Sequence, residues 1–307
     1  MTLIVHKKPI HGYKNKYSKV VLIDEVYTLQ HFEDMFETGN FEDRMKIDEC
    51  QRRSEVTFFF YDNITSHNFY CLSYHGPATK LTDLFLNTSA STILINHAEV
   101  ALHEFFGNKL YWQARRSMRF NKELKEIAAH FRRTYLNSTD HKDNTESPEN
   151  WVDEKPKRNA IGGPYLAVHL RRRDFIKSRP NEAPSLTIIA HQITKSLNRL
   201  SLNTVFIATD GTKEEFETLS KKLSKYTVVK YIPTKYVNER FGEGGVAIID
   251  QIICSHAMHF IGTRESTFSF RIQEEREILG FPTEATFNAF CKNEDNCSKP
   301  SVWKIVY

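Results

Sequence analysis

From Tyr165 to Leu279 the sequence alternates short apolar runs with longer amphipathic stretches. The apolar runs are nearly continuous, which is typical of parallel strands whose two faces are both covered by helices. The strand-like runs cover 165–170, 205–209, 228–232 and 260–263, and the helical stretches cover about 185–200, 216–223, 246–256 and 267–279. This half of the chain is therefore predicted to be a doubly wound α/β domain.

The first half of the chain has a mixed α/β pattern. Short β-branched runs at Val20–Ile23 and Thr92–Ile95 predict strands, and the apolar spacing from about Arg115 to Leu136 predicts one long amphipathic helix. Residues 137–159 are almost wholly polar and predict a flexible linker or long surface loop. The predicted divisions are 1–137, a linker at 138–160, a second domain at 161–280 and a C-terminal segment at 281–307.

Composition excludes several classes of protein. A 307-residue chain with 40% hydrophobic residues can bury a sizeable core, and a net charge of +4 does not indicate a nucleic-acid-binding protein. No run of 18 apolar residues is present, so no transmembrane span is expected. The glycine patterns of nicotinamide and P-loop sites are also missing, as is a D-x-D metal motif. We interpret the neighbouring Cys254, His256 and His259 as core residues, and we expect neither a metal nor a cofactor.

Polar residues follow the predicted strands at the points where each ends. His169 and Arg171 alternate with apolar residues and so point to the same side of their strand, while Asp174 follows them. A guanidinium binds phosphate bidentately, so this strand end predicts a diphosphate ligand. The alternative is a solvated basic turn. Asp210 ends the next strand, where it could serve a ligand or merely cap the following helix.

A third set of candidates lies further along the chain. The glycine pair Gly244-Gly245 precedes a predicted helix, and Asp250 falls within that apolar helix, where a carboxylate needs a partner such as the N–H donors of guanine. Ser266 and Thr267 open the last helix, where hydroxyls and backbone amides suit phosphate. Capping and turn formation remain the alternative for both places.

Cysteines and sequons favour an oxidising compartment. Cys50 and Cys71 form one near pair, Cys291 and Cys297 form another, and Cys254 lies in an apolar run. This spacing suits two local disulfides and a free thiol, although five reduced cysteines in a cytosolic protein would have the same spacing. N-glycosylation sequons favour the secretory pathway. They begin at Asn63, Asn87, Asn137 and Asn296, and the first three are our candidate glycan acceptors.

A family resemblance rests on several of these peptides. Residues 169–174 match the H-x-R-R-x-D peptide of protein O-fucosyltransferases and of α-1,6- and α-1,2-fucosyltransferases. Residues 244–254 and 266–271 are more specific, and they resemble the GDP-fucose protein O-fucosyltransferases of type 2. The similarity runs from about Ile23 nearly to the end of the chain. It includes the peptides at 111–112, 115–118, 136–140, 274–280 and 303–307.

The resemblance implies a GT-B fold, with two Rossmann-like domains built on parallel sheets, the first of them incomplete here. It implies metal-independent, inverting transfer of fucose from GDP-fucose to Ser or Thr of folded thrombospondin type 1 repeats, by a monomer in the endoplasmic reticulum lumen. His169, Leu170 and Arg171 would contact the diphosphate region, and Arg171 would stabilise the departing GDP. Asp250 would bind the nucleoside, while Thr267 and Phe268 would line the donor pocket.

One family feature has no counterpart in the sequence. The family's general base is a glutamate in an N-terminal N-P-P-E-G-F-N segment, and residues 1–18 do not resemble the family. We therefore expect an incomplete gene model, an isoform or a fragment that does not transfer fucose by itself, unless Glu243 or Glu265 replaces the base. Two other functions are compatible with parts of the sequence. One is a non-catalytic module that binds GDP or a thrombospondin repeat, and the other is a small-molecule or glycan fucosyltransferase.

The cysteine spacing makes a direct prediction. Peptide mapping of the non-reduced protein by mass spectrometry should find Cys50–Cys71 and Cys291–Cys297 disulfides, with Cys254 as the free thiol, because neighbouring cysteines close the short loops most readily. A bridge that includes Cys254 would contradict this pairing.

Overall fold

Two five-stranded sheets organise the described part of the chain. The computed structural model describes residues 3–6, 21–30, 45–48, 64–74, 81–96, 107–178, 183–264, 266–286, 288–292 and 304–307. The chain divides into two units, Met1–Phe106 and Gly107–Tyr307, and each sheet belongs to one of them. The α/β fold class predicted from the sequence is confirmed.

The first unit contains a mixed sheet with strand order β1-β5-β2-β4-β3. Its central strands β2, β4 and β5 run parallel, whereas the edge strands β1 and β3 are antiparallel to their neighbours. A parallel sheet was expected here, so the expectation is correct only for the three central strands. The elements are β1 (Leu3–His6), β2 (Val21–Gln30), β3 (Met45–Asp48), β4 (Ile64–Tyr74), α1 (Leu81–Asn87) and β5 (Thr92–Asn96). Ile93, Leu94 and Ile95 are buried on β5, in keeping with a strand covered on both faces.

The second unit contains the alternating half of the sequence. Its helices are α2 (Lys109–Ser117), α3 (Lys122–Tyr135), α4 (Asp140–Asp143), α5 (Arg173–Ser178), α6 (Leu186–Leu200), α7 (Lys213–Lys222), α8 (Lys235–Ser255), α9 (Thr267–Leu279) and α10 (Thr283–Thr286). Its strands are β6 (Gly163–Leu170), β7 (Thr204–Thr209), β8 (Thr227–Val229), β9 (Ala257–Gly262) and β10 (Asn288–Ala289).

All neighbouring strands of this second sheet are parallel, in the order β10-β9-β6-β7-β8. The chain leaves β6 toward β7 on one side and later returns to β9 on the other side. Such a sheet has a topological switch point between β6 and β9, where a crevice opens beyond the carboxyl ends of the strands.

Side chains of β6 alternate between two cores. Leu166, Val168 and Leu170 pack with α6 and α7, whereas Tyr165 and Ala167 pack with α3 and α8. The predicted facing of this strand is thereby confirmed, and it places His169 on the side of α8 and α9. Among the described residues, no helix is long and apolar enough to cross a membrane.

The region between the predicted domains differs from the expectation. The single helix predicted at 115–136 is two helices, because Asn121 caps a new helix that starts at Lys122. Leu124, Ala128 and Phe131 of that helix lie in the core of the second unit. The boundary between units therefore lies at Phe106, not near residue 137.

The segment predicted as a linker or surface loop at 138–160 belongs to the second unit as well. Ser138 and Asp143 are buried and hydrogen-bonded to each other, and the Arg132 guanidinium pairs with Asp140. The segment also forms the short helix α4 and a 3-10 turn at Trp151–Asp153. Its polar side chains satisfy one another, so a polar composition here does not mean a free linker.

The structure describes the state of two of the five cysteines. Cys254 is a buried free thiol, and Cys291 is disulfide-bonded. Cys50 and Cys297 lie outside the described residues, as does the side chain of Cys71, which sits on β4. The sequons at Asn63 and Asn296 also lie outside them.

Arg276 joins the main elements around the second sheet. Its side chain is fully buried in α9 and stacks 3.7 Å above the Phe281 ring centroid. Burial lowers the pKa of this guanidinium to about 9, although backbone oxygens surround it. The acceptors, at 2.6–3.3 Å, are the carbonyl oxygens of Ser255, Ala257, Met258 and Ala285. One side chain thus holds the end of α8, the start of β9 and α10.

Replacing this guanidinium should destabilise the protein. Arg276→Lys should lower the free energy of unfolding by about 3 kcal/mol or more, because an ammonium group cannot reach all four carbonyls and each buried, unsatisfied polar group costs roughly 1–3 kcal/mol. Chemical denaturation measures the change. The exposed Arg133→Lys in α3 is the control and should have almost no effect, and equal stability of both variants would contradict the role of Arg276.

Candidate active site

Polar residues meet at the carboxyl ends of β6, β7 and β9. His169 lies near the end of β6 and Arg171 directly follows that strand, Asp210 follows β7, and Thr263 follows β9. The switch point lies between β6 and β9. His169, Arg171 and Thr263 therefore lie at the place where α/β sheets bind ligands. The sequence-predicted cluster at the end of β6 is therefore located at the switch point.

Thr263 ties the two strand ends together. Its hydroxyl donates to the backbone oxygen of His169 and accepts the backbone N–H of Arg171, both at 2.9 Å. Its own N–H donates to Ser269 Oγ at 3.0 Å. Sequence reasoning missed both Thr263 and Ser269, because hydroxyls beside a helix start are equally typical of ordinary capping.

His169 is held tightly in its environment. The residue is buried, Nδ1 lies 2.8 Å from Ser269 Oγ, and the ring stacks on Phe268 with centroids 4.2 Å apart. Burial, with a smaller contribution from the positive charge of Arg171, lowers the pKa of His169 to about 3. The imidazole is therefore neutral at any physiological pH and can act as a polar contact rather than as a cation.

Arg171 is held by carboxylates on the solvent side. Its Nε and Nη2 donate to the two oxygens of Asp174 at 3.0 and 2.8 Å, and Asp210 lies 3.8 Å from Nε. The hydrogen bond to Asp174 raises the pKa of Arg171, which stays charged. Since the side chain is 39% exposed, this fixed guanidinium can still meet an anion from solvent.

Asp210 orders the loop after β6 and does not cap the following helix. Its Oδ1 accepts the backbone N–H of Arg172 at 2.6 Å. The cap of α7 is Thr212, which forms a reciprocal capping box with Glu215. The capping alternative for Asp210 is therefore wrong.

The start of α9 supplies a second group of donors. Ser266 is the N-cap residue but makes no capping bond, and its buried Oγ has no hydrogen-bond partner. Thr267 begins the helix and is exposed, while Leu170 on the neighbouring strand is buried in the core and presents no polar side-chain group. A helix N-terminus with an unused hydroxyl is suited to an anion such as phosphate.

Asp250 lies on α8, in the part of the helix that follows the glycine pair. Its Oδ1 is buried and has no hydrogen-bond partner. Burial raises the pKa of Asp250 to about 7, and the nearby positive charge of Lys230 only partly opposes that rise. No hydrogen bond or ion pair among the described residues joins Asp250 to the strand ends, whereas His169 contacts Phe268 directly and feels the positive charge of Arg171.

The glycine pair occupies a different position from the one expected. Helix α8 is interrupted at Gly242, whose φ of 59° and ψ of −166° are accessible mainly to glycine. Gly244 and Gly245 then lie inside the helix, in the first turn after the interruption, and not ahead of it. A Cβ added to Gly244 would meet nothing within 4 Å, so the backbone at this residue is open to solvent or ligand, whereas a Cβ at the buried Gly245 would clash with Phe241.

Comparison with known proteins identifies the family. Residues 2–279 match the family described as GDP-fucose protein O-fucosyltransferase. The chain belongs to this family. The chain is 39% identical to GDP-fucose protein O-fucosyltransferase 2 of Caenorhabditis elegans and 42% identical to that of Homo sapiens, in each case over 93% of this chain. These alignments cover 70% and 69% of the two relatives.

Among solved structures, POFUT1 in complex with GDP-fucose has a TM-score of 0.48 to this chain, with 15% identity over 87% of this chain and 73% of that one. The sequence matches alone carry the family membership, and they make this chain a glycosyltransferase. Within the described residues, no three His, Cys, Asp or Glu side chains are grouped as metal ligands would be.

The environment of Asp250 predicts an unusual dependence of stability on pH. The folded chain keeps this proton up to a pH of about 7, whereas an unfolded chain loses it near pH 4, so wild-type stability should fall as the pH rises between these values. Asp250→Asn lacks this titration. Its stability advantage over wild type should grow by up to about 1.4 kcal/mol per pH unit across this window and then stay constant.

Urea unfolding at a series of pH values measures the difference. Asp153→Asn, at an exposed position in the 3-10 turn, serves as the control and should run parallel to wild type. Parallel curves for Asp250→Asn as well would show that the carboxyl titrates normally.

Proposed function

We propose that this chain holds the donor site of an enzyme that transfers fucose from GDP-fucose to a Ser or Thr hydroxyl of folded thrombospondin type 1 repeats. The reaction inverts the anomeric centre, uses no metal or other cofactor, and takes place in the endoplasmic reticulum lumen on a monomeric enzyme. The observation that carries the proposal is the convergence of a fixed guanidinium, a neutral imidazole and a helix N-terminus at the switch point of the second sheet.

The donor diphosphate would lie at the carboxyl ends of β6 and β9. Arg171 supplies a permanent positive charge there, and its fork is already oriented by Asp174. The first turn of α9 supplies backbone N–H groups, with Ser266 Oγ as an additional unpaired donor. Donors fixed in advance cost little reorganisation when negative charge develops on the leaving group.

The nucleoside would lie near α8. A guanine base offers two adjacent N–H donors, and Asp250 offers a carboxylate with an unpaired buried oxygen. The open turn at Gly244 leaves room for a ligand to approach the backbone. Burial of Asp250 discourages its ionisation, so the guanine donors would favour the charged form and lower its pKa on binding.

The reaction exchanges one bond at C1 of fucose for another. The bond from C1 to the β-phosphate oxygen breaks, and its electron pair stays on GDP, where Arg171 stabilises the charge. The acceptor oxygen forms the new bond to C1 from the opposite face, and its proton passes to a general base. Asp174 and Asp210 are already engaged in the strand-end loops, so neither is proposed as that base.

A base must therefore come from another carboxylate. The family resemblance points to a glutamate in an N-terminal segment of the kind described above. Glu243 is exposed in α8, just after the interruption at Gly242, and is the alternative within the described residues. Glu265, the other alternative, lies outside them.

Fewer observations support the proposed acceptor and the proposed cellular compartment. The type 2 relatives at 38–42% identity support a protein acceptor, and the resemblance supports a thrombospondin repeat. Asn87 and Asn137 are exposed, as glycan acceptors must be, and the disulfide-bonded Cys291 suits an oxidising lumen.

The three consecutive arginines offer a matched test. Arg171→Ala in the full-length protein should lower fucose transfer by about a hundredfold or more, because it removes a charge-stabilising donor. The neighbouring Arg173→Ala should change transfer little, since its side chain is exposed at the start of α5. Transfer of labelled fucose from GDP-fucose to a folded thrombospondin repeat is the measurement.

The same assay separates the rival functions. Near wild-type transfer by a folded Arg171→Ala variant would overturn the proposed role of Arg171. Binding of GDP by the full-length protein without transfer to any repeat would instead favour a non-catalytic binding module. Transfer to a free glycan but not to the repeat would favour a glycan fucosyltransferase.

A further inference from the structure

Ser269 is the third residue of α9 and is fully buried beside His169. Two nitrogens surround its hydroxyl oxygen. The backbone N–H of Thr263 donates to it at 3.0 Å, and Nδ1 of His169 lies 2.8 Å away. The first contact has a fixed direction because an amide N–H can only donate.

The hydrogen of the Ser269 hydroxyl needs an acceptor. A serine carries one hydroxyl hydrogen, and leaving it unbonded in a buried position costs free energy. Thr263 Oγ1 bonds to the oxygen of His169 and to the N–H of Arg171, and among the described residues no hydrogen bond joins it to Ser269 Oγ. Among the described residues, the acceptor within reach is Nδ1 of His169.

The geometry points to Ser269 as the residue that fixes His169 as the tautomer with its proton on Nε2. An imidazole that accepts at Nδ1 and is neutral must carry its single N–H at Nε2. The low pKa of His169 agrees with a neutral ring. The opposite tautomer would give Ser269 Oγ two incoming hydrogens and leave its own hydrogen without an acceptor.

This tautomer matters for the proposed function, on which the next step rests. Nε2 bonds to no described residue, so its N–H can donate to an oxygen of the donor diphosphate. The other tautomer would present a lone pair to the same oxygens and repel them. Phe268 stacks on the ring and fixes its plane, while Ser269 fixes which nitrogen bears the proton. Ser269 is thus a positioning residue that acts through His169.

The tautomer can be read directly in the nucleotide-free, full-length protein. Two-bond ¹H–¹⁵N correlation spectra of histidine-labelled protein distinguish a protonated ring nitrogen from an unprotonated one, and His169→Gln identifies the signals. We expect the proton on Nε2 in wild type, and a mixture or a shift toward Nδ1 in Ser269→Ala. Ser269→Thr keeps the hydroxyl and should keep the wild-type tautomer.

Ser255 provides a matched control. It is also a fully buried helical serine, and its Oγ lies 3.0 Å from Nδ1 of another histidine, His256. Ser255→Ala should leave the His169 signals unchanged. In calorimetric titrations, Ser269→Ala should weaken GDP binding roughly tenfold, the value of one hydrogen bond to a charged group, whereas Ser255→Ala should not.

The outcomes separate this inference from the proposed function. A proton on Nδ1 in wild type, or a Ser269→Ala spectrum identical to that of wild type, would overturn the role of Ser269 even if GDP binds normally. Should Ser269→Ala not fold, loss of the wild-type tautomer in folded Ser269→Thr would overturn it equally. If instead neither Arg171→Ala nor His169→Gln weakened GDP binding, the proposed donor site would fail whatever the tautomer.

Discussion

The switch point between two neighbouring parallel strands, β6 and β9, determines where a sheet of this topology can bind a ligand. Their connections cover opposite faces of the sheet, so no helix crosses the gap beyond their carboxyl ends. Thr263 spans this gap at the level of the backbone, bonding β6 on one side and the start of α9 on the other. His169 and Arg171 therefore have fixed positions relative to the first turn of α9, and the site depends on one hydroxyl for this alignment.

The same helix is anchored beyond the site. Arg276 bonds to backbone oxygens around the C-terminal half of α9, Glu274 pairs with Arg115, and Glu277 pairs with Arg158. Arg276, Glu274 and Glu277 are buried, and burying a charge without a partner would cost several kcal/mol, so the helix has little freedom to shift. A ligand that meets the first turn of α9 consequently meets donors that are already in place, which is the condition for electrostatic stabilisation of a leaving group.

The sequence predicted the second sheet and the start of α9 well, because nearly continuous apolar strands and a helix opening at Thr267 are local signals. It failed where contacts between residues far apart in the sequence determine the structure. The polar run at 137–159 resembled a linker, yet Ser138 and Asp143 are buried in a network that composition does not reveal. Ser269 gave no signal of its own either, since its significance arises only when folding brings it beside a residue 100 positions earlier in the chain, His169.

Among the described residues of the second unit, Ser266 Oγ and Asp250 Oδ1 are buried without a hydrogen-bond partner. Arg119, Arg132 and Glu154 each have a buried unpaired atom but bond through another atom of the same side chain. Ser266 has only one side-chain oxygen, and Asp250 has a buried oxygen with no compensating bond. Each such group costs about 1–3 kcal/mol, which an alanine at the same position would avoid. According to the proposed function, a phosphate of GDP would bond to Ser266 Oγ, and the guanine base would bond to Asp250. An adenine nucleotide would leave Asp250 unpaired, and guanosine would leave Ser266 unpaired, so the unsatisfied groups of the free protein favour the whole guanosine diphosphate over either part.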